Sequence, residues 1–286
     1  MLTLVLPRPY PVGVPRSRPL GTITRGTTHP NRLRRCDRWL LATHGGRLTK
    51  GATPHLVDLG HGASGVTTRE WADRVRTLRP DAQVTGLEIS PERVSTAQAW
   101  SAPGVDFALG GFEVPLPGQR QARVVRAFNV LRQYDEVQVE QPWRTMLSRL
   151  DPAGVLVEGT CDELGRLGSW ITLDASGPQT LTLSWRLRDL DAHRLPSVVA
   201  ERLPKALIHR NVPGEPIHDL LLVLDDAWRR ATPFAPYGAR QQAAAAFADV
   251  ARQVPVIGGV DRWRLGELTL PWSLVAPRTG PLAQRW

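Results

Sequence analysis

From His55 onward the chain alternates short apolar runs with longer amphipathic stretches. The apolar runs cover residues 56–59, 83–87, 105–109, 123–128 and 154–158, and residues 67–78, 91–100 and 136–150 between them repeat at helical spacing. This alternation predicts a parallel sheet with crossover helices on both faces, because parallel neighbours need a long connection that packs back onto the sheet. Residues 170–173 and 181–185 then alternate apolar and polar positions around turn residues Asp174 to Pro178, which predicts an antiparallel hairpin closing the sheet. Residues 217–230 and 240–252 read as two further helices, separated by the proline-rich 232–237.

The segment before His55 has a different texture. Pro7, Pro9, Pro11, Pro15, Pro19 and Pro30 rule out a helix or central strand over residues 1–30, which read as a mobile tail. Residues 33–43 fit a helix presenting Leu33, Trp39 and Leu40, with an expected stop at Gly45 and Gly46. The chain therefore divides into a tail (1–30), a core with a helical lead-in (31–190) and a mainly helical C-terminal extension (191–286).

Composition adds three constraints. The 42% hydrophobic and 22% charged fractions suit a folded chain of 286 residues. The apolar start Leu2 to Leu6 is too short for a signal-peptide core and no later stretch reaches spanning length, while Cys36 and Cys161 stand far apart without a Cys-x-x-Cys partner. A soluble cytoplasmic protein without membrane contact, disulfide framework or metal site is the expectation. The net charge of +9 favours anionic partners, although the arginine excess fits the composition of a GC-rich genome equally well. Arg32, Arg34, Arg35 and Arg38 form the dense basic group ahead of the core.

Candidate chemistry starts where the first apolar run ends, at Asp58-Leu59-Gly60-His61-Gly62-Ala63-Ser64-Gly65. Glycines let the backbone turn tightly and approach a ligand, and the following helix offers free amide groups. Gly60, Gly62 and Gly65 satisfy G-x-G-x-x-G, which also suits an NAD(P)-dependent oxidoreductase. Asp58 separates the two readings: a carboxylate there opposes a pyrophosphate but pairs with the ammonium of a bound amino acid. Glu88, closing the next run, suits the hydroxyls of a ribose.

Residues 57–62 and 86–92 resemble the first and second motifs of the class I S-adenosylmethionine-dependent methyltransferases, and residues 105–111, 126–134 and 150–157 are similar to their later strand segments. The resemblance covers about half the chain and implies a Rossmann-like sheet ending in an antiparallel hairpin. It implies S-adenosyl-L-methionine as cofactor, bound by Asp58, Gly60, His61, Gly62, Glu88, Ile89, Gly111, Phe112 and Asn129, with Arg132 and Tyr134 on the acceptor side. Two positions depart from the pattern: Ser64 replaces a third glycine, and Gly111-Phe112 stands where an acid often meets the adenine amino group. A direct displacement needs alignment and exclusion of water rather than a nucleophile, so no catalytic residue is assigned. The acceptor is unassigned among a small molecule, an RNA and a protein, and the motif by which many base-amino methylating relatives hold a planar amine is missing from residues 129–134. A rival from another class is a non-catalytic nucleic-acid-binding protein on a degenerate methyltransferase fold.

Overall fold

The structure, a computed structural model, describes residues 18–24, 26 and 28–283. Five parallel strands, β1 (His55–Leu59), β2 (Gln83–Glu88), β3 (Val105–Leu109), β4 (Ala122–Phe128) and β5 (Leu150–Cys161), are followed by antiparallel β6 (Leu167–Asp174), β7 (Gly177–Trp185) and β8 (Glu267–Pro271). Their spatial order is β3-β2-β1-β4-β5-β6-β7-β8. The fold is therefore a Rossmann-like α/β sheet closed by an antiparallel hairpin. The winding direction reverses between β1 and β4, and such a switch point opens a crevice at the carboxyl ends of the strands.

Helices cover both faces. On one face α1 (Arg34–Thr49), α2 (Val66–Arg76) and α3 (Pro91–Ala97) bury Leu40, Trp71 and Ala97 against Leu56, Val84 and Val124. On the other, α4 (Glu140–Leu147), α5 (Lys205–Ile208), α6 (Pro216–Arg230) and α7 (Ala239–Gln253) pack on Val57, Val125, Leu156 and Leu183. Alternate residues of one strand thus feed two different cores, because successive strand side chains point to opposite faces. Trp39, Trp71 and Trp170 fill the first core and Trp143, Trp185 and Trp228 the second. Truncating any one of them to Ala would cost about 3–5 kcal/mol.

Three local expectations change. Helix α1 runs through Gly45 and Gly46 to Thr49, because Leu48 beyond them is fully buried and Arg47 bonds the Ala153 carbonyl. Those contacts outweigh a propensity penalty of about 1 kcal/mol per glycine. The expected helix over 136–150 shortens to a 3₁₀ turn at Glu136–Gln138 and α4, since Leu150 already pairs with Ala122 at the start of β5. The region read as mainly helical also supplies β8, which follows the four-residue α8 (Val260–Trp263) and pairs with β7; Thr269 at its centre bonds Thr182 and the Trp39 indole. No helix among the described residues is long and apolar enough to cross a membrane.

Candidate cofactor and acceptor site

The crevice at the switch point is built from four strand ends. After β1 the chain turns through Gly60 (φ 72°) and Gly62 (φ 80°), left-handed conformations that favour glycine, and the Gly60 amide donates to the Leu87 carbonyl. A side chain at Gly60 would also strike Val130. After β2 the buried Glu88 carboxylate accepts from the Ile89 amide at 2.9 Å and the Gly62 amide at 3.1 Å, tying the second strand end to the glycine turn. After β3 come Gly110, Gly111 and the buried Phe112, whose ring meets Tyr134 edge-on at 5.6 Å. After β4 stands Asn129, held at φ 60° with its side chain bonded to Cys161 on β5.

Asp58 is buried beneath this turn, and its carboxylate is engaged. It accepts from the hydroxyls of Thr67 (3.0 Å) and Thr68 (2.9 Å) and faces the Arg126 guanidinium two-handed, at 3.0 and 2.9 Å. Arg126 also reaches Asp37, which in turn holds Arg74 at 2.6 Å. Burial raises the Asp37 carboxyl against the pull of Arg126 and Arg74. Burial alone would lower Arg126, but Asp37 and Asp58 raise it overall. A guanidinium flanked by two carboxylates stays charged at every pH the fold survives, so the network braces the first turn of α2 under the glycine loop.

His61 lies inside the loop, buried, with its ring against the Gly62 and Ser64 backbone. Burial lowers its pKa despite Asp58 and Glu88, so near neutrality the ring offers one donor and one acceptor. Arg132 turns instead toward the Glu201 carbonyl (3.1 Å) and lines none of the crevice cavities. Tyr134 stays close, its buried hydroxyl unbonded beside Gly21.

The described part of the N-terminal segment crosses the crevice as a strap. The Leu20 amide donates to Glu113 Oε2 at 2.9 Å, and the Leu20 carbonyl accepts from the Phe112 amide at 3.0 Å. Gln133 bonds the Thr22 carbonyl, Arg93 the Thr24 carbonyl, and the Thr28 hydroxyl the His61 carbonyl. Glu113 also accepts from the Gly111 amide at 2.9 Å, and a side chain on Gly111 would collide with the Leu20 carbonyl. The strap divides the crevice into cavities of about 20 Å³ and about 70 Å³ on either side of Gly60. Ligand pockets run to about 300–1,000 Å³, so neither cavity has room for a nucleotide-sized molecule with the strap in this position. Of the tail reading, residues 1–17, 25 and 27 lie outside the described residues.

The structure brings Asp58, Gly60, His61, Gly62, Glu88, Ile89, Gly111, Phe112 and Asn129 to the walls or floor of one crevice. Sequence reasoning missed Glu113, one residue beyond the position inspected for an acid. It also missed Asp37, Arg126 and the strap, whose partners are distant in sequence. Among the described residues no group of three or more metal-binding side chains is assembled.

No protein-family model matches this sequence, and no curated protein matches it. Among solved structures, the chain is similar to a LepI variant in complex with SAH and a substrate analogue, at 19% identity over 41% of this chain and 30% of that one, with a TM-score of 0.34. It is similar to the O-methyltransferase NcsB1 from neocarzinostatin biosynthesis, with SAH and 1,4-dihydroxy-2-naphthoic acid, at 20% identity over 44% and 38% with a TM-score of 0.31. It is also similar to the magnesium protoporphyrin IX methyltransferase ChlM from Synechocystis PCC 6803 with bound SAH, at 18% identity over 45% and 54% with a TM-score of 0.35. The matched region spans 30% to 54% of the length of these structures. At such identities and TM-scores the functional reading rests on the geometry of the crevice itself.

Proposed function

We propose that this chain binds S-adenosylmethionine in the switch-point crevice and transfers its methyl group to an acceptor by direct displacement. The observation that carries the reading is the pair of bonds made by Leu20. An adenine edge presents the same pattern as that peptide, an amino donor beside a ring-nitrogen acceptor, and Glu113 Oε2 with the Phe112 amide form its complement. Leu59, Ile89 and Val130 supply apolar walls beside it. Glu88 then serves the ribose hydroxyls, and the Gly60-His61-Gly62 turn receives the amino-acid end, with the His61 ring as a polar contact. Asp58, already bonded by Thr67, Thr68 and Arg126, acts on the cofactor by fixing this turn. Asn129 and Tyr134 face the acceptor side.

Held by Glu113, Glu88 and the Gly60-His61-Gly62 turn, the cofactor would supply an electrophilic methyl group to an acceptor aligned beside Asn129 and Tyr134. Alignment and dryness supply most of the catalysis in such a displacement. The strap, once re-seated over a bound cofactor, provides the dryness.

Thermal unfolding with S-adenosylhomocysteine and, in parallel, NAD tests the cofactor. A ligand at about 100 times its Kd stabilises by ~2.7 kcal/mol. Stabilisation by the adenosyl ligand alone is expected, and stabilisation by NAD alone defeats the reading. Glu113→Ala should weaken S-adenosylhomocysteine about tenfold or more, the value of a hydrogen bond to a charged group. Leu20→Pro, which removes the competing N–H, should tighten it by about fivefold, within the range of one net hydrogen bond. Calorimetric Kd values unchanged in both variants would displace the adenine from this seat.

A further inference from the structure

A cleft of about 750 Å³ lies outside the cofactor crevice and is walled by guanidinium groups. Arg34, Arg35 and Arg38 come from the first turns of α1, and Arg166 from the loop after β5. Arg186 and Arg188 follow β7, Arg240 opens α7, and Arg264 precedes β8. The residues brought together span more than two hundred positions of sequence, so only the fold creates this concentration of charge.

The charge is largely uncompensated. Arg34, Arg38, Arg166, Arg188 and Arg240 make no ion pair among the described residues, and all five are exposed. Glu267 is the carboxylate among the lining residues, and Arg262 already holds it; Asp189 pairs with Arg186 at 3.6 Å. Burial lowers Arg35 while Glu267, Asp189 and, least, Asp162 pull on it, and Arg35 itself is spent on the Leu265 carbonyl. Helix α7 begins at the wall with no acid in its first turn, adding the positive end of its dipole. Such a surface disfavours its own empty state and is relieved by an anion that spans several guanidinium groups.

Two features select the class of anion. Guanidinium forks match phosphate oxygens two-handed, which lysine does not do. At the rim, Tyr237 is 76% exposed, a platform for stacking a base rather than a core residue. The cleft is also a neighbour of the cofactor crevice. Arg32 and Leu33 border both the cofactor-side cavity and a small cavity against Trp170, which shares Arg35 and Gly165 with the arginine cleft.

We propose that this cleft binds the phosphate backbone of a single-stranded nucleic acid, with Tyr237 stacking on a base and the strand leading toward the cofactor crevice. As an assignment of the acceptor class it rests on the methyltransferase reading; as a binding site it does not. The test is fluorescence anisotropy of the full-length protein with fluorescein-labelled 12-nucleotide RNA and DNA of one sequence, titrated from 50 to 200 mM KCl. The triple substitution Arg38→Ala, Arg188→Ala and Arg240→Ala removes exposed, unpaired charges and leaves the fold intact. It should weaken binding at least thirtyfold and flatten the salt dependence by roughly 0.7 in logarithmic slope per lost phosphate contact. Tyr237→Ala should weaken binding about fivefold or more with no change in that slope. RNA preferred over DNA, or the reverse, names the strand. Absence of binding at 50 mM KCl, a triple variant that binds like the parent, or equal competition by inorganic tripolyphosphate overturns the proposal. Oligonucleotide binding without any response to S-adenosylhomocysteine removes the cofactor reading and keeps the cleft, whereas the opposite pattern removes the cleft alone.

Discussion

Replacing Arg126 with Met is expected to lower the unfolding free energy by about 3–5 kcal/mol, the cost of stranding buried charge. Arg126 is wholly inaccessible and stands between Asp37 and Asp58, both buried, so its removal leaves two carboxylates facing each other across an apolar space. Arg74 continues to neutralise Asp37 from its other side at 2.6 Å, and the Thr67 and Thr68 hydroxyls continue to solvate Asp58. Those contacts keep the loss within the stated range. The sign of the pH dependence follows from Asp37, whose carboxyl is already raised by burial and rises further without Arg126. A raised carboxyl contributes its stability below the unfolded pKa and loses it as pH climbs, so the variant should suffer more at pH 8 than at pH 4. Urea denaturation at both values measures this, and a loss under about 1 kcal/mol at pH 8 would show that the network is replaceable. Adding Asp37→Asn to Arg126→Met should recover part of the loss, because the two effects share one interaction.

The second large effect belongs to Glu158, in the middle of β5. Its side chain is buried in the sheet, Oε2 has no hydrogen-bond partner, and burial pushes the carboxyl up to about 8 against the pull of the Trp143 indole. The folded state therefore holds a proton that the unfolded chain releases near 4.5. Between those values stability falls as pH rises, since the native state binds more protons than the unfolded one. An interval of about 3.5 pH units at ~1.4 kcal/mol per unit amounts to on the order of 5 kcal/mol. Glu158→Gln keeps the shape and removes the titration, so the variant should be several kcal/mol more stable than the parent at pH 8.5 and close to it at pH 5. Parallel pH–stability curves for the two proteins would mean that the carboxyl is solvated in solution.

Much of this architecture was legible along the chain. The strands β1 to β4 and helices α2, α6 and α7 fall within a residue or two of their apolar runs, because each buries a face whose period matches its own geometry. The glycine turn, Glu88 and Gly111-Phe112 were found for the same reason: a strand ending in glycine or a lone acid is a local signal. Arg132 is the instructive exception, since its neighbours in sequence placed it at the crevice while the Glu201 carbonyl, far along the chain, directs it away. Glu113 was overlooked because a single acid in a loop carries no periodicity.

What the sequence by itself determined was the succession of elements and the glycine turn after the first strand, both consequences of residue spacing and backbone conformation. The tertiary structure decided the rest: β8 joins the sheet through pairing with β7, Arg126 bridges acids 89 and 68 positions away, Leu20 bonds Glu113 and the Phe112 amide, and arginines from five separate segments converge on one cleft. Each of these depends on contacts between residues remote in the chain, where neither period nor propensity has any reach, and burial and charge alone settle which groups meet.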